Sequence, residues 1–243
     1  MSLKKGVILI IVEGGSEAVS FQDFLKKIER EKNVSFHLVE GDITTLENIT
    51  PKTIESAIKE QLIKFDETNT DKLKIDDLVQ IVHLVDTDGT YIDKSNIFEE
   101  KNIPFIEYDE EKIITKDKTK TEGRLERKAL ILNQLSKYNH IKGTYKRKKY
   151  NLHYSIYYFS RNLDHVLHNS TKNGLKLSEK MNLAYKFRRR FNGNIDNFID
   201  YMNSEDFIAP GDYEETWNFI KIEKNSLKRY SNFHLYINES IEK

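Results

Sequence analysis

The apolar run Val7–Val12 stops abruptly at Glu13, Gly14 and Gly15. A run with no polar alternation describes a strand covered on both faces, the pattern of a central strand in a parallel sheet. Behind the glycines Ser16 is placed to cap a helix. Phe21, Phe24, Leu25 and Ile28 then keep the i, i+3, i+4, i+7 spacing of a helix packed on a sheet. Phe36 and Leu38 alternate with polar neighbours, a short second strand. Thr50-Pro51 reads as a helix start, with Ile54, Ala57, Ile58, Leu62 and Phe65 as its apolar stripe. After a polar surface loop, Asp66 to Asp77, comes a second apolar strand, Leu78 to Val85, which runs into Asp86, Asp88 and Gly89. The β-α-β-α-β order predicts a parallel sheet with right-handed crossovers.

The remainder is less regular. Ile103–Tyr108 is expected as a strand and Lys112–Gly123 as a polar, mobile stretch. A helix is expected over Arg124–Lys137 with Leu125, Ala129, Leu132 and Leu135 inward, and a last strand over Leu152–Phe159. Helical patterns follow at Leu163–His168, Leu177–Phe191, Ile195–Met202 and Tyr213–Lys221. The predicted architecture is α/β and Rossmann-like: a mostly parallel sheet with helices on both faces over residues 1–170, carrying a polar insertion at about 110–150. Residues 171–243 are expected as a helical C-terminal extension.

With 243 residues the chain can bury a substantial core, and 13 Tyr and 13 Phe argue against disorder. The absence of cysteine excludes disulfides, thiolate metal sites and cysteine nucleophiles. No apolar run approaches the ~18 residues of a membrane span. The basic start before Val7 leads into a strand with no cleavage site behind it, so it is read as structure and not as a signal peptide. A soluble cytoplasmic protein is expected. The net charge of zero hides a division: Glu111 to Arg190 holds 21 Lys or Arg against 6 Asp or Glu, a net of +15. Such asymmetry either serves a polyanionic partner or pairs internally on folding.

Asp86 and Asp88, two apart at a strand end, are expected to present both carboxylates to one side. A divalent cation relieves their repulsion, and hard oxygen ligands suit Mg²⁺ or Mn²⁺. The competing reading is a solvated Asp/Gly turn, weakened by the habit of α/β sheets of gathering ligands at carboxyl strand ends. Glu13 closes the first strand without an evident structural task, whereas Glu17, in a first helical turn, also complements the helix dipole. Neither GxGxxG nor GxxxxGK[ST] is present, which counts against dinucleotide and NTP binding.

A strand ending in VEGxxE, followed by a strand ending in DxD, resembles the TOPRIM domain, and most closely its nuclease versions in OLD-family and RloB-like proteins. The resemblance covers about Gly6 to Gly89. It implies a TOPRIM-like fold with Glu13, Asp86 and Asp88 holding divalent metal, joined by Glu17 as in OLD-type nucleases. FSRNLDHVLH, from Phe159, is loosely similar to the helix start after the last strand of RloB-like proteins, which makes Asp164 an additional acid. No ATPase segment precedes the resembling part, and there is no room for the tyrosine-bearing domains of a topoisomerase. The resemblance further implies a role in phage defence or mobile-element biology.

His165 and His168 lie on one helical edge beside Asp164, where they could ligate metal or move protons, although histidines so placed are more often surface residues. His83, inside a strand, is expected as a satisfied core histidine. Two basic clusters could hold nucleic acid. Lys146, Arg147, Lys148 and Lys149 lie between Tyr145 and Tyr150, whose rings could stack on bases. Arg188, Arg189 and Arg190 end a helix that also carries Lys180 and Lys186, a position that favours cations in any case. The acids and the basic clusters together predict a Mg²⁺- or Mn²⁺-dependent endonuclease acting on DNA or RNA, with Glu13, Glu17, Asp86, Asp88 and Asp164 catalytic and room for an activating protein partner. The alternative is a non-catalytic nucleic-acid- or partner-binding module on the same scaffold. A small phosphotransfer enzyme is disfavoured by the missing phosphate loop.

Overall fold

The computed structural model describes residues 5–242; Met1 to Lys4, part of the basic start, lie outside them. Strand β1 (Gly6–Val12) leads to helix α1 (Gly15–Glu31), β2 (Val34–Glu40), α2 (Ile54–Thr68) and β3 (Leu78–Asp86). An inserted region follows, with β4 (Ile97–Glu99), β5 (Glu107–Tyr108), β6 (Ile113–Thr115) and α3 (Lys118–Leu135). The hairpin of β7 (His140–Tyr145) and β8 (Lys148–Phe159) completes the sheet. Then come α4 (Leu163–His168), α5 (Leu177–Phe191), α6 (Ile195–Met202), α7 (Tyr213–Phe219) and α8 (Phe233–Glu242).

The main sheet has the order β2-β1-β3-β8-β7, with only β7 antiparallel to its neighbour. Alternate residues of β1 feed two cores, as the period-two geometry of a strand requires. Val7, Leu9 and Ile11 pack with α2, the end of α3 and Trp217. Ile8, Ile10 and Val12 pack with α1 and α4, and with Phe187, Phe198 and Phe233 of the C-terminal helices. Burying a side chain of this kind contributes roughly 1.5–3 kcal/mol, so residues beyond 170 supply much of one face of the sheet. A separate three-stranded sheet, β4-β6-β5, closes a small core of Ile97, Ile113, Leu125 and Leu227.

Several elements differ from their sequence expectation for identifiable reasons. Helix α1 is capped by Gly14, without a side-chain bond, and Ser16 lies inside it. A Cβ on Gly15 would meet the flexible end of Glu40, Oε1, at 3.0 Å. Helix α2 begins at Ile54, after a turn in which Thr53 Oγ1 accepts from the Thr50 N–H at 2.9 Å. The expected loop from Asp66 is half helix, with Asp66 and Ile75 buried. The expected strand Ile103–Tyr108 shrinks to β5. The polar stretch before Arg124 is ordered as β6 and the first turns of α3, where Asp117 accepts from the Lys120 N–H at 2.8 Å. Strand β8 starts four residues early, paired with β7 through a turn at Lys146 and Arg147, both at positive φ. Among the described residues no helix is long and apolar enough to cross a membrane.

Candidate active site

Strands β1 and β3 are parallel neighbours, so their carboxyl ends reach the same edge of the sheet, flanked by those of β2 and β8. Glu13 follows β1, Asp86 closes β3, and Asp42 lies just past β2. Glu13 Oε1 accepts from the Asp86 backbone N–H at 3.1 Å and from the Thr44 hydroxyl at 3.5 Å. The glutamate thus ties two strand ends together and keeps its second oxygen for other work.

Asp88 is placed by a turn and not by the strand. Its φ is 52° and that of Gly89 is 70°. The glycine cannot be replaced cheaply, because a Cβ there would sit 2.6 Å from Leu227 Cδ2. Such left-handed backbone at a non-glycine residue persists only where its surroundings hold it. Here the Asp88 N–H donates to Arg161 O and the Thr87 N–H to Phe159 O, both at 2.9 Å. Alternation therefore ends at Asp86, and the expectation that both aspartates share one side does not hold. Asp86 Oδ1 accepts from the Leu163 N–H at 3.0 Å, at the start of α4. Asp88 turns instead toward α3.

What meets Asp88 there is Lys128, an ammonium with no solvent exposure. Its Nζ is 2.7 Å from Asp88 Oδ2 and 3.4 Å from Glu13 Oε1. One helical turn earlier, Arg124 places a guanidinium nitrogen 3.9 Å from the same Asp88 oxygen and donates to Tyr108 OH at 3.1 Å. Neither Lys128, Arg124 nor Asp42 is singled out by the motif reading. A signal for Lys128 exists: it lies three residues after Leu125 and four before Leu132, on the face buried with Thr121, Ile131 and Leu135. A lysine at a core position of an amphipathic stripe requires a buried partner.

The charges are mutually dependent. Burial pushes the Glu13 carboxyl up to about 8; Lys128 pulls it down while Asp42 and Asp88 push it further up. Asp86 is held well above the usual carboxylate range by burial and by Glu13, Glu17 and Asp88. Burial alone would lower the pKa of Lys128, but Asp88, Glu13 and Asp42 hold it above its ordinary value. Asp42 stays below its ordinary value despite burial, through Lys128 and hydrogen bonds from Thr45 and Thr44. Like charges about 4 Å apart cost ~4 kcal/mol at an effective dielectric near 20. Lys128 is the cation that all three of Glu13, Asp42 and Asp88 act upon.

Glu17 and Asp164 form a second group on the far side of Asp86. Both are buried, and burial raises Glu17 to about 7. Asp164 Oδ2 has Lys180 Nζ at 3.8 Å, while its Oδ1 lies 3.7 Å from His168 Nε2, and neither of these last two atoms has a hydrogen-bond partner. His165 and His168 are buried, contrary to the surface expectation. Burial, aided by Arg161 and Arg229 near His165 and by Arg229 near His168, lowers both to about 4, so both are neutral imidazoles. His83 is in the core as expected, bonded through Nδ1 to Tyr154 OH at 2.9 Å, with Nε2 unpartnered.

The basic clusters do not join the acids. Lys146 and Arg147 turn the β7–β8 hairpin at the start of β8, whereas the acids lie at its end, roughly 36 Å away at ~3.3 Å per residue. Lys146 is bound to Asp66 at 2.7 Å and Lys148 to Asp76, so part of the charge asymmetry is met inside the fold. Arg188 is bound to Asp23 at 2.9 Å, and Arg190 lies over the Tyr201 ring at 4.6 Å. Arg189 has no ion-pair or hydrogen-bond partner for its side chain among the described residues.

The donors at the sheet edge are all oxygens, which suits a hard divalent cation. Among the described residues no three His, Asp or Glu side chains are drawn close enough to share one ion as they stand. The cation that Glu13 and Asp88 converge on is the Lys128 ammonium. Comparison with family models, with characterised proteins and with solved structures finds no match in any of the three.

Proposed function

We propose that the chain is a metal-dependent nuclease on a TOPRIM-like scaffold, hydrolysing phosphodiester bonds of DNA or RNA. The observation that carries this reading is the buried ammonium of Lys128 held between Glu13 and Asp88, next to Asp86, at adjacent carboxyl strand ends. Carboxylates that already converge on one cation fit a hard metal in their chemistry. Glu13, Asp86 and Asp88 would hold Mg²⁺ or Mn²⁺, with Glu17 and Asp164 beside them. When bound, the ion supplies an activated water and neutralises charge on the phosphate oxygens.

The chain's own residues supply the rest. Arg124, partly exposed and one turn before Lys128 on α3, offers a cation to a phosphate beside Asp88, while the buried Lys128 holds Glu13 and Asp88 in place. Backbone hydrogen bonds from Asp86 and Leu163 fix the carboxyls of Glu13 and Asp86, so the acids are positioned before substrate arrives. The resemblance to OLD-family and RloB-like proteins adds phage defence or mobile-element biology as the setting, with an activating partner protein as part of that proposal.

The test is cleavage of labelled single- and double-stranded DNA, tRNA and total RNA in EDTA, Mg²⁺ or Mn²⁺, beside the Asp86→Asn, Asp88→Asn double variant. Metal-dependent cutting that falls at least ~100-fold in the variant supports the reading. Cutting that persists in the variant removes these acids from the reaction. Absence both of cutting and of metal binding by the wild type would favour the binding module.

A further inference from the structure

Helices α1 and α5 leave a groove between them, with a volume of about 860 Å³. Lys26, Lys27 and Arg30 line one wall, and Arg188 and Arg189 line the other. Two of these cations are already answered. Arg188 is held by Asp23 and Gln22, and Lys27 by Glu31 at 3.0 Å. Lys26, Arg30 and Arg189 are exposed and have no ion-pair or hydrogen-bond partner among the described residues. Cations are favoured in last helical turns, which accounts for Arg30 and Arg189 singly. It does not account for Lys26, in the middle of α1, nor for the convergence of all three on one concave surface.

The groove also points back to the acids. Glu17, in the first turn of α1, and Lys180, in the first turn of α5, both interact with Asp164. From there the helices run in the same direction, since Arg188 meets Asp23 and Gln22 further along. Lys26 lies nine residues beyond Glu17 and Arg189 nine beyond Lys180, about 14 Å in each case at ~1.5 Å per residue. That is roughly four steps of a nucleic-acid strand at ~3.4 Å per step.

We infer that this groove binds the phosphodiester backbone of the nucleic acid on one side of the cut, through Lys26, Arg30 and Arg189. The inference rests on the nuclease reading and adds the track of the substrate. The β7–β8 hairpin, with its lysines paired to Asp66 and Asp76 at the opposite end of the sheet, is not on that track.

Fluorescence anisotropy with fluorescein-labelled 24-nucleotide single strands and duplexes, of DNA and of RNA, in EDTA across 50–300 mM salt tests this without any catalysis. Two full-length variants are compared: Lys26→Ala, Arg30→Ala, Arg189→Ala, and Lys146→Ala, Lys148→Ala, Lys149→Ala. All six side chains are exposed, and circular dichroism confirms folding of both. The groove variant is expected to bind at least ~10-fold more weakly and to lose about 2–3 from the slope of log affinity against log salt. The hairpin variant should match the wild type. Wild-type binding that survives in the groove variant overturns the inference and leaves the nuclease reading standing. Equal binding of a labelled poly-glutamate peptide also overturns it, by assigning the groove to an acidic protein. If the wild type binds no nucleic acid, the inference fails, and Mn²⁺ titration of the wild type then decides separately whether the acids form a metal site.

Discussion

The two groups of acids flanking Asp86 differ in how their charge is met, and the more enclosed group is the less well paired. Glu13 and Asp88 close on one ammonium, Lys128, fully removed from solvent at 3.4 and 2.7 Å. Beside Glu17 and Asp164 the nearest cation among the described residues is Lys180, 3.8 Å from Asp164 and 41% exposed. Glu17 accepts from the Ser16 hydroxyl at 3.1 Å, and Asp164 Oδ1 and His168 Nε2 face each other at 3.7 Å with no hydrogen-bond partner among the described residues. One half is a built ion-pair network whose parts depend on each other. The other holds polar groups that are costly to bury, more enclosed than Glu13 and Asp88 and with less opposite charge beside them. The contrast is one of electrostatics: a neutralising cation is built in on the α3 side, whereas toward α4 and α5 burial is met by raised carboxyls and neutral imidazoles.

The largest effect should follow removal of the internal cation. Lys128→Met leaves Glu13, Asp42 and Asp88 without their shared ammonium, and breaking a buried pair in this way typically costs about 3–5 kcal/mol. Urea denaturation at pH 7.5 in EDTA should show a loss near the lower figure, because the carboxyls can take up a proton instead. A loss under ~1 kcal/mol would mean that Lys128 is not integral to the fold, and the two halves would no longer differ in kind.

Next in size is an acid limb belonging to the second half. His165 and His168 are held near 4, below the ordinary 6.5. Between those values the unfolded chain binds the protons that the folded chain refuses, so stability falls as pH drops from about 6.5 toward 4. Replacing His168 by Gln should make that slope shallower by up to ~1.4 kcal/mol per pH unit over pH 4.5–6, read from urea midpoints at each pH. The carboxyls act with the opposite sign. Glu13, raised from 4.5 to about 8, stabilises the metal-free fold most at low pH and loses that contribution as pH rises through 8. Glu13→Gln should therefore stabilise the metal-free protein by about 1 kcal/mol at pH 8.5 relative to wild type, and do little at pH 5. A pH slope of stability changed in the same direction by both variants would show that neither half behaves as described.

How much of this was legible in the sequence depends on the element. The buried strands β1 and β3 and the acids at their ends were readable because continuous apolar runs and terminal carboxylates are local patterns. So were α4, α5 and α6, whose periodicity matches their bounds. Strand β7 was hidden because its hairpin turns on Lys146 and Arg147 at positive φ, where Asn-Gly would have announced it. The segment also reads as a nucleic-acid patch, and the pairing of Lys146 with Asp66 and of Lys148 with Asp76, seventy or more residues away, is invisible to local reading. Three of the four expected inward positions of α3, Leu125, Leu132 and Leu135, are buried, but the place expected of Ala129 belongs to Lys128, a charge that an apolar stripe does not announce. Asp88 was found, but its direction is set by a turn whose geometry depends on Leu227, far along the chain.

The smallest expected effect sharpens the comparison most. Lys180 is partly exposed and 3.8 Å from its partner, so Lys180→Met should cost under ~1 kcal/mol of stability. It should still move its neighbours. Burial raises Glu17 to about 7, against its own N–H, the Ser16 hydroxyl and Lys180, which all pull it down. Without Lys180 that carboxyl must titrate higher, as must Asp164, which is raised by burial and lowered by the same lysine. Carbon-13 titration of the Glu and Asp side chains would read both shifts directly. Movement of these two carboxyls with Glu13 unchanged would show that the halves are electrostatically separate. If Glu13 shifts as far as Glu17, Asp86 transmits charge between them and the acids form one titrating unit, because Asp86 is the group both halves act upon.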